Sequence, residues 1–167
     1  MIDRIDRFVD VLGRGVAWLN LAMVSVTCIV VVLRYAFDMG AIFLQESVVY
    51  LHGIVFLTGL SYALQHDAHV RVDILYSRLS PRAKAWVNGL GHALLLMPLS
   101  LAIVIASWDY TLKSWAVLEG SAEVSGVPAV FLLKTLIPVS AALLFAQAAA
   151  MAWRDFNALV KARSLNA

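Results

Sequence analysis

The chain has 167 residues, of which 62% are hydrophobic and 14% charged, with a net charge of +2 and a mean hydropathy of +0.82. A soluble domain carries about 45–50% apolar and about 25% charged residues, and a chain this short lacks the interior volume to bury the excess. Lipid is the solvent that fits it. The small net charge and the lack of a basic run interleaved with aromatics argue against nucleic acid as a partner.

In chain order, residues 1–14 come first. Ile2, Ile5, Phe8, Val9 and Leu12 recur at helical spacing, with Asp3, Arg4, Asp6, Arg7 and Asp10 between them. The pattern predicts a short amphipathic helix on the inner membrane surface or against a partner. Four apolar runs follow. A hydrocarbon core about 30 Å thick needs about 20 residues of helix. Residues 16–34, 47–65, 85–108 and 128–153 meet that test. In lipid every backbone N–H and C=O needs an internal partner, so each run is expected to be a helix. The polarity does not alternate as barrel strands require. The predicted fold is an all-α membrane protein with four transmembrane helices in a single domain. Pro128 suits the first turn of the fourth helix. Pro98 and Pro138 fall inside helices three and four, where each removes a backbone hydrogen bond. The first run is too long for a signal-peptide core of about 7–15 residues and is expected to be retained. Its lone Cys28 reads as a small buried hydrophobe.

Orientation follows from Lys and Arg in the flanks. Arg4, Arg7 and Arg14 precede the first run, and Arg34 alone follows it. Arg71, Arg78, Arg82 and Lys84 lie in the second loop, residues 66–84. Lys113 alone lies in the third, residues 109–127, and Arg154, Lys161 and Arg163 lie in the tail, residues 154–167. This alternation predicts both termini and an interfacial second loop in the cytoplasm. Trp18, Trp86, Trp108 and Trp153 sit near predicted helix ends, where amphipathic rings anchor at the headgroup level.

Four polar features stand out. His66, His69 and Asp73 in the second loop have spacings that would share a helix face, which metal ligation can use. No further ligand completes a set, so a solvated turn shaped by an Arg71–Asp73 pair is the expected reading. Gln45 and Glu46 stand at the outer start of helix two. There a carboxylate gains about 0.3–1 kcal/mol from the helix dipole, or contacts a partner subunit. Lys134 lies within the first two turns of helix four, from which a long side chain snorkels outward. His52 and His92 lie within helices two and three and raise the alternative of a haem-binding membrane anchor of a redox complex. Counted at about 1.5 Å per residue, they sit about 8 Å from the outer side and about 11 Å from the inner side. That leaves an offset of about 11 Å across the core, which is poor for two ligands of one haem.

The helices carry no mid-membrane carboxylate and no polar break of the kind that holds ions or substrates in secondary transporters. No nucleophile constellation or phosphate loop is present, so the chain does not read as an enzyme. No catalytic, cofactor or metal residue is assigned. It reads as a subunit that works beside another.

Residues 45–91 carry a family resemblance. Gln45-Glu46 opens helix two, Gly59 lies in a small-residue helix, and His69-x-Arg71-x-Asp73 precedes Leu75 and the break at Pro81. This resembles the small permease subunit of tripartite ATP-independent periplasmic (TRAP) transporters, the DctQ-type family. Trp115, Glu119, Ser121, Pro128, Lys134 and Pro138 resemble its mannitol/chloroaromatic-type subgroup. The resemblance covers roughly residues 10–155. It implies a multi-pass protein of the bacterial inner membrane. Its partners would be a large multi-helix permease subunit driven by a sodium gradient and a periplasmic binding protein that delivers an organic acid. Gln45, Glu46, His69, Arg71, Asp73 and Lys134 become the expected subunit-interface or structural motif.

Overall fold

The computed structural model describes residues 2–66, 68 and 76–164. Among them every element is helical. Helix α1 is Ile2–Ala36, α2 is Ile42–Gln65 and α3 is Pro81–Leu90. A π-helical segment, Gly91–Leu96, leads into α4, Met97–Ala116, and α5 is Val130–Ser164. The segment from Pro81 to Ala116 is continuous and forms the third of four helices long and apolar enough to cross a membrane.

The amphipathic stretch 1–14 is not a separate helix, as the sequence pattern predicted. Residues 2–14 are the first third of α1, which runs unbroken for 35 residues. The glycine at position 13 does not stop the helix because it sits at a close approach. A Cβ there would lie 2.0 Å from Cδ2 of the Tyr62 ring on α2. The buried Val9 lies one turn earlier. Tertiary contact thus holds α1 helical through Gly13.

The other boundaries shift for local reasons. Helix α2 begins five residues before Ser47, at Ile42, so Glu46 lies beyond its first turn. The third span begins at Pro81 because Ser80 caps it, accepting from the Ala83 N–H at 3.2 Å, and proline suits the first helical position. Helix α5 starts two residues after Pro128 and continues through the charged stretch after Arg154. At about 1.5 Å per residue, α1 and α5 each measure about 52 Å, longer than the hydrocarbon core.

Two prolines are absorbed differently. Pro138 cannot donate to the Lys134 carbonyl one turn back, and Thr111 Oγ1 on α4 approaches that carbonyl at 3.4 Å instead. Upstream of Pro98 the backbone widens into the π segment, where the Met97 N–H reaches the His92 carbonyl five residues back.

The packing follows the order α1, α2, α5, third span, with only a small additional contact between α1 and α5. The molecule is therefore a row of helices and not a closed four-helix bundle. Helix α5 is the shared element. In its apolar stretch 28% of residues are buried within the protein, against 6% in α1. Its buried apolar residues are all alanines, Ala141, Ala148, Ala150 and Ala152, which permit close backbone approach, and Ser140 and Gln147 are buried beside them. Gly53 does the same on α2, where an added Cβ would meet Leu133 Cδ1 at 2.9 Å.

Gly13→Ala is expected to lower unfolding free energy by about 1–3 kcal/mol through overpacking. Tyr62→Ala in the same chain should recover part of the loss. Denaturation in mixed micelles measures both, and a neutral Gly13→Ala would show that the seam yields freely.

Candidate functional site

The polar side chains gather at the two ends of the row. Asp6 near the N-terminus meets Arg154 near the C-terminus, so both chain ends lie at one end of the row, here termed the inner end.

At the outer end Glu46 organises the third loop. Ser121 Oγ donates to Glu46 Oε1, and the Val127 N–H donates to Oε2 at 2.6 Å. Ser121 Oγ also accepts from the Glu123 N–H at 3.0 Å, and the Ser121 N–H donates to the Val127 carbonyl at 3.2 Å. One carboxylate thus holds both sides of the turn 121–127. Gly126 is required there, because an added Cβ would lie 2.3 Å from Ser121 Oγ and 2.7 Å from Glu46 Oε2. The helix-dipole account of Glu46 is replaced by this loop contact, since Glu46 lies past the first turn of α2.

A second pin lies beside it. Lys134 Nζ is 2.5 Å from Glu119 Oε2 and 4.0 Å from the Tyr110 ring centroid. The Lys134 ammonium reaches the third loop, where an acid and an aromatic face meet it. Trp115 Nε1 donates to Thr135 Oγ1 at 2.8 Å and its ring meets Phe131 edge-on at 4.7 Å. The Lys134 ammonium holds the Glu119 carboxyl below its ordinary value of 4.5.

At the inner end Asp6 is the junction of three helices. Arg154 on α5 donates to both its carboxylate oxygens. Gln147 on α5, fully buried, donates to Asp6 Oδ1 at 3.1 Å, and Gln65 on α2 donates to the Asp6 carbonyl at 3.2 Å. Asp10 pairs with Arg14 at 3.1 Å and stands 3.8 Å from His66 Nε2. His92 in the π segment is bonded to Asp155 on α5 at 3.1 Å.

The residues singled out from sequence are therefore dispersed. Glu46 and Lys134 belong to adjacent outer pins. The Gln45 amide has no hydrogen-bond partner among the described residues. His69, Arg71 and Asp73 lie outside the described residues, as do Ile74 and Leu75 of the expected interfacial turn. His66 turns to Tyr62, with Nδ1 3.1 Å from its carbonyl. His52 stacks on Phe56 and His92 faces Asp155, and α5 lies between their helices. Trp18, Trp86, Trp108 and Trp153 all lie on the surface. Cys28 is exposed, not buried, because α1 packs on one side only. It borders an open apolar groove of about 480 Å³ between α1 and α2.

The Asp6–Arg154–Gln147 and His92–Asp155 contacts were missed from sequence. Gln147 carried a signal, being an amide in the alanine-rich run 141–152.

These contacts define a four-span membrane protein whose polar groups serve chiefly to hold its own helices and outer loop. The family model of the DctQ component of tripartite ATP-independent periplasmic transporters matches residues 23–158. The chain belongs to that family, and is a multi-pass protein of the bacterial inner membrane. It is similar to the C4-dicarboxylate TRAP transporter small permease protein DctQ of Vibrio cholerae serotype O1, with 25% identity over 108 residues. That match covers 64% of this chain and 46% of the relative, so the chain spans about half the relative's length. No solved structure matches it.

Glu46→Ala should free the outer loop. Hydrogen exchange at Val127 is expected to accelerate about tenfold or more, as for loss of a bond to a charged acceptor, with α1 and α2 unchanged. The Glu119–Lys134 pair gives a pH signature. A lowered carboxyl pKa means that its stabilisation is complete above 4.5 and is lost as pH falls through the lowered folded-state value. The melting-temperature gap between wild type and Glu119→Gln should hold from neutral pH to about 5 and close below it. A gap that widens on acidification would contradict the pairing.

Proposed function

We propose that this chain is the small membrane subunit of a TRAP transporter and scaffolds the large multi-helix permease subunit. The complex would take up an organic acid delivered by a periplasmic binding protein, driven by an ion gradient, with sodium as the coupling ion. Membership of the DctQ family over residues 23–158 carries this reading. The open row of helices supports it. Glu46, His92 and Lys134 are bonded to other parts of the chain, which leaves these groups no role in carrying cargo. A helix row with two broad apolar faces is suited to lie against a larger membrane protein. The relative's name gives C4-dicarboxylate, consistent with a carboxylate cargo.

In this reading both termini and the second loop face the cytoplasm. The loop formed on Glu46 then faces the periplasm, where the binding protein docks. Trp18, Trp86, Trp108 and Trp153 anchor the row at the two headgroup levels. Gln45 is the member of the outer pair left for a partner, and His69, Arg71 and Asp73 form an inner contact with the large subunit.

Expression with a large TRAP permease subunit from the same source should yield a stable complex in detergent. A chain that never retains that subunit would sink the proposal. Gln45→Ala, Arg71→Ala and Asp73→Ala are expected to reduce recovered complex while the amount of inserted chain stays constant. Full complex yield from all three would remove them from the interface.

A further inference from the structure

A groove of about 490 Å³ opens at the inner end between α3 and α5, lined by Arg82, Trp86, Phe156, Leu159 and Val160. Its volume lies in the range of small-ligand sites, about 300–1,000 Å³. Of the described residues that line it, four are apolar or aromatic and the fifth is a cation. Arg82 and Trp86 are one turn apart on α3, on the same face of the helix. Trp86 meets Phe156 edge-on, with centroids 6.1 Å apart, and this pair closes the end of the groove farther along the span.

The charge at the mouth is unspent. Arg82 makes no ion pair among the described residues. The other basic side chain of α3, Lys84, lies over the Tyr76 ring at 5.1 Å. The acid beside Phe156 in sequence, Asp155, is held by His92. Arg82 is also second in α3, so its charge adds to the positive end of the helix dipole.

The layout is ordered by depth. Along α3 the chain passes from Arg82 to Trp86 about 6 Å farther into the span. Along α5 it passes from Phe156 back out to Val160. A cation thus lies at the mouth, with an aromatic and aliphatic floor deeper in. That order matches a phospholipid with a net negative headgroup, its phosphate at Arg82 and one acyl chain along Trp86, Phe156 and Leu159. We propose that this groove is a binding site for an anionic phospholipid of the cytoplasmic leaflet. The site belongs to the chain itself and does not depend on the identity of the transported cargo.

The test uses the full chain in nanodiscs doped with brominated phosphatidylglycerol or brominated phosphatidylcholine at equal mole fraction. The signal is the quenching of Trp86, taken as the difference between wild type and Trp86→Phe. Phosphatidylglycerol is expected to quench with about fivefold preference, the contribution of one basic side chain near an anionic headgroup. Arg82→Gln should abolish the preference, Arg82→Lys should keep most of it, and Arg34→Gln at the opposite end should leave it intact. Equal quenching by both lipids in wild type, or a preference that survives Arg82→Gln, would overturn the site. So would loss of all Trp86 quenching in a complex co-purified with the large permease, which would make the groove a protein interface. Failure to assemble with that permease leaves the lipid measurement on the lone chain unaffected, so the two proposals fail separately.

Discussion

In a bilayer, lipid tails are as apolar as leucine, so helices gain no hydrophobic free energy by leaving lipid for one another. Every feature of this protein answers that constraint. The middle of the row is held by close contact of small groups, with α5 contributing Ala141, Ala148, Ala150 and Ala152. The ends are held by directional polar bonds. Asp6 draws α1, α2 and α5 together at one end, and Glu46 and Lys134 fix α2, α5 and the third loop at the other. Without these pins a row in which α1 touches chiefly one neighbour would have little reason to stay ordered.

The same constraint explains what was legible in the sequence. The four spans were, because a bilayer imposes length and composition on each run separately. The pins were not, because their partners are far apart in the chain. Asp6 and Arg154 are 148 residues apart, and Glu46 and Val127 are 81 apart. Glu46 was noticed as polar at a membrane edge, but its placement on helix α2 pointed to the dipole and not to a loop. Lys134 near a helix end predicts a side chain that reaches outward, and the partner it meets there, Glu119, is set by the path of the third loop. The amphipathic pattern of the N-terminal 14 residues predicts a short helix on the membrane surface or against a partner. Their apolar stripe includes the buried Val9, while Asp6 meets α5 through its carboxylate and α2 through its main-chain carbonyl.

The polar inventory also bears on function. Secondary transporters place ion and substrate sites where helices break at mid-membrane. Here the irregular backbone is the π segment before Pro98. Its His92 is committed to Asp155. The one histidine of that irregular segment is thus used in a contact between helices.

A row one helix thick has seams that run parallel to the helix axes, and each seam is a line about which the row can fold like a screen. Asp6 crosses two such lines at once, because it bonds to α2 and to α5 from α1. The inner edge is therefore tied across both seams. Among the described residues no side-chain hydrogen bond or ion pair joins the outer ends of α1 and α2. The row is therefore clasped asymmetrically, by polar bonds at its inner edge and by packing alone where α1 and α2 approach the outer side.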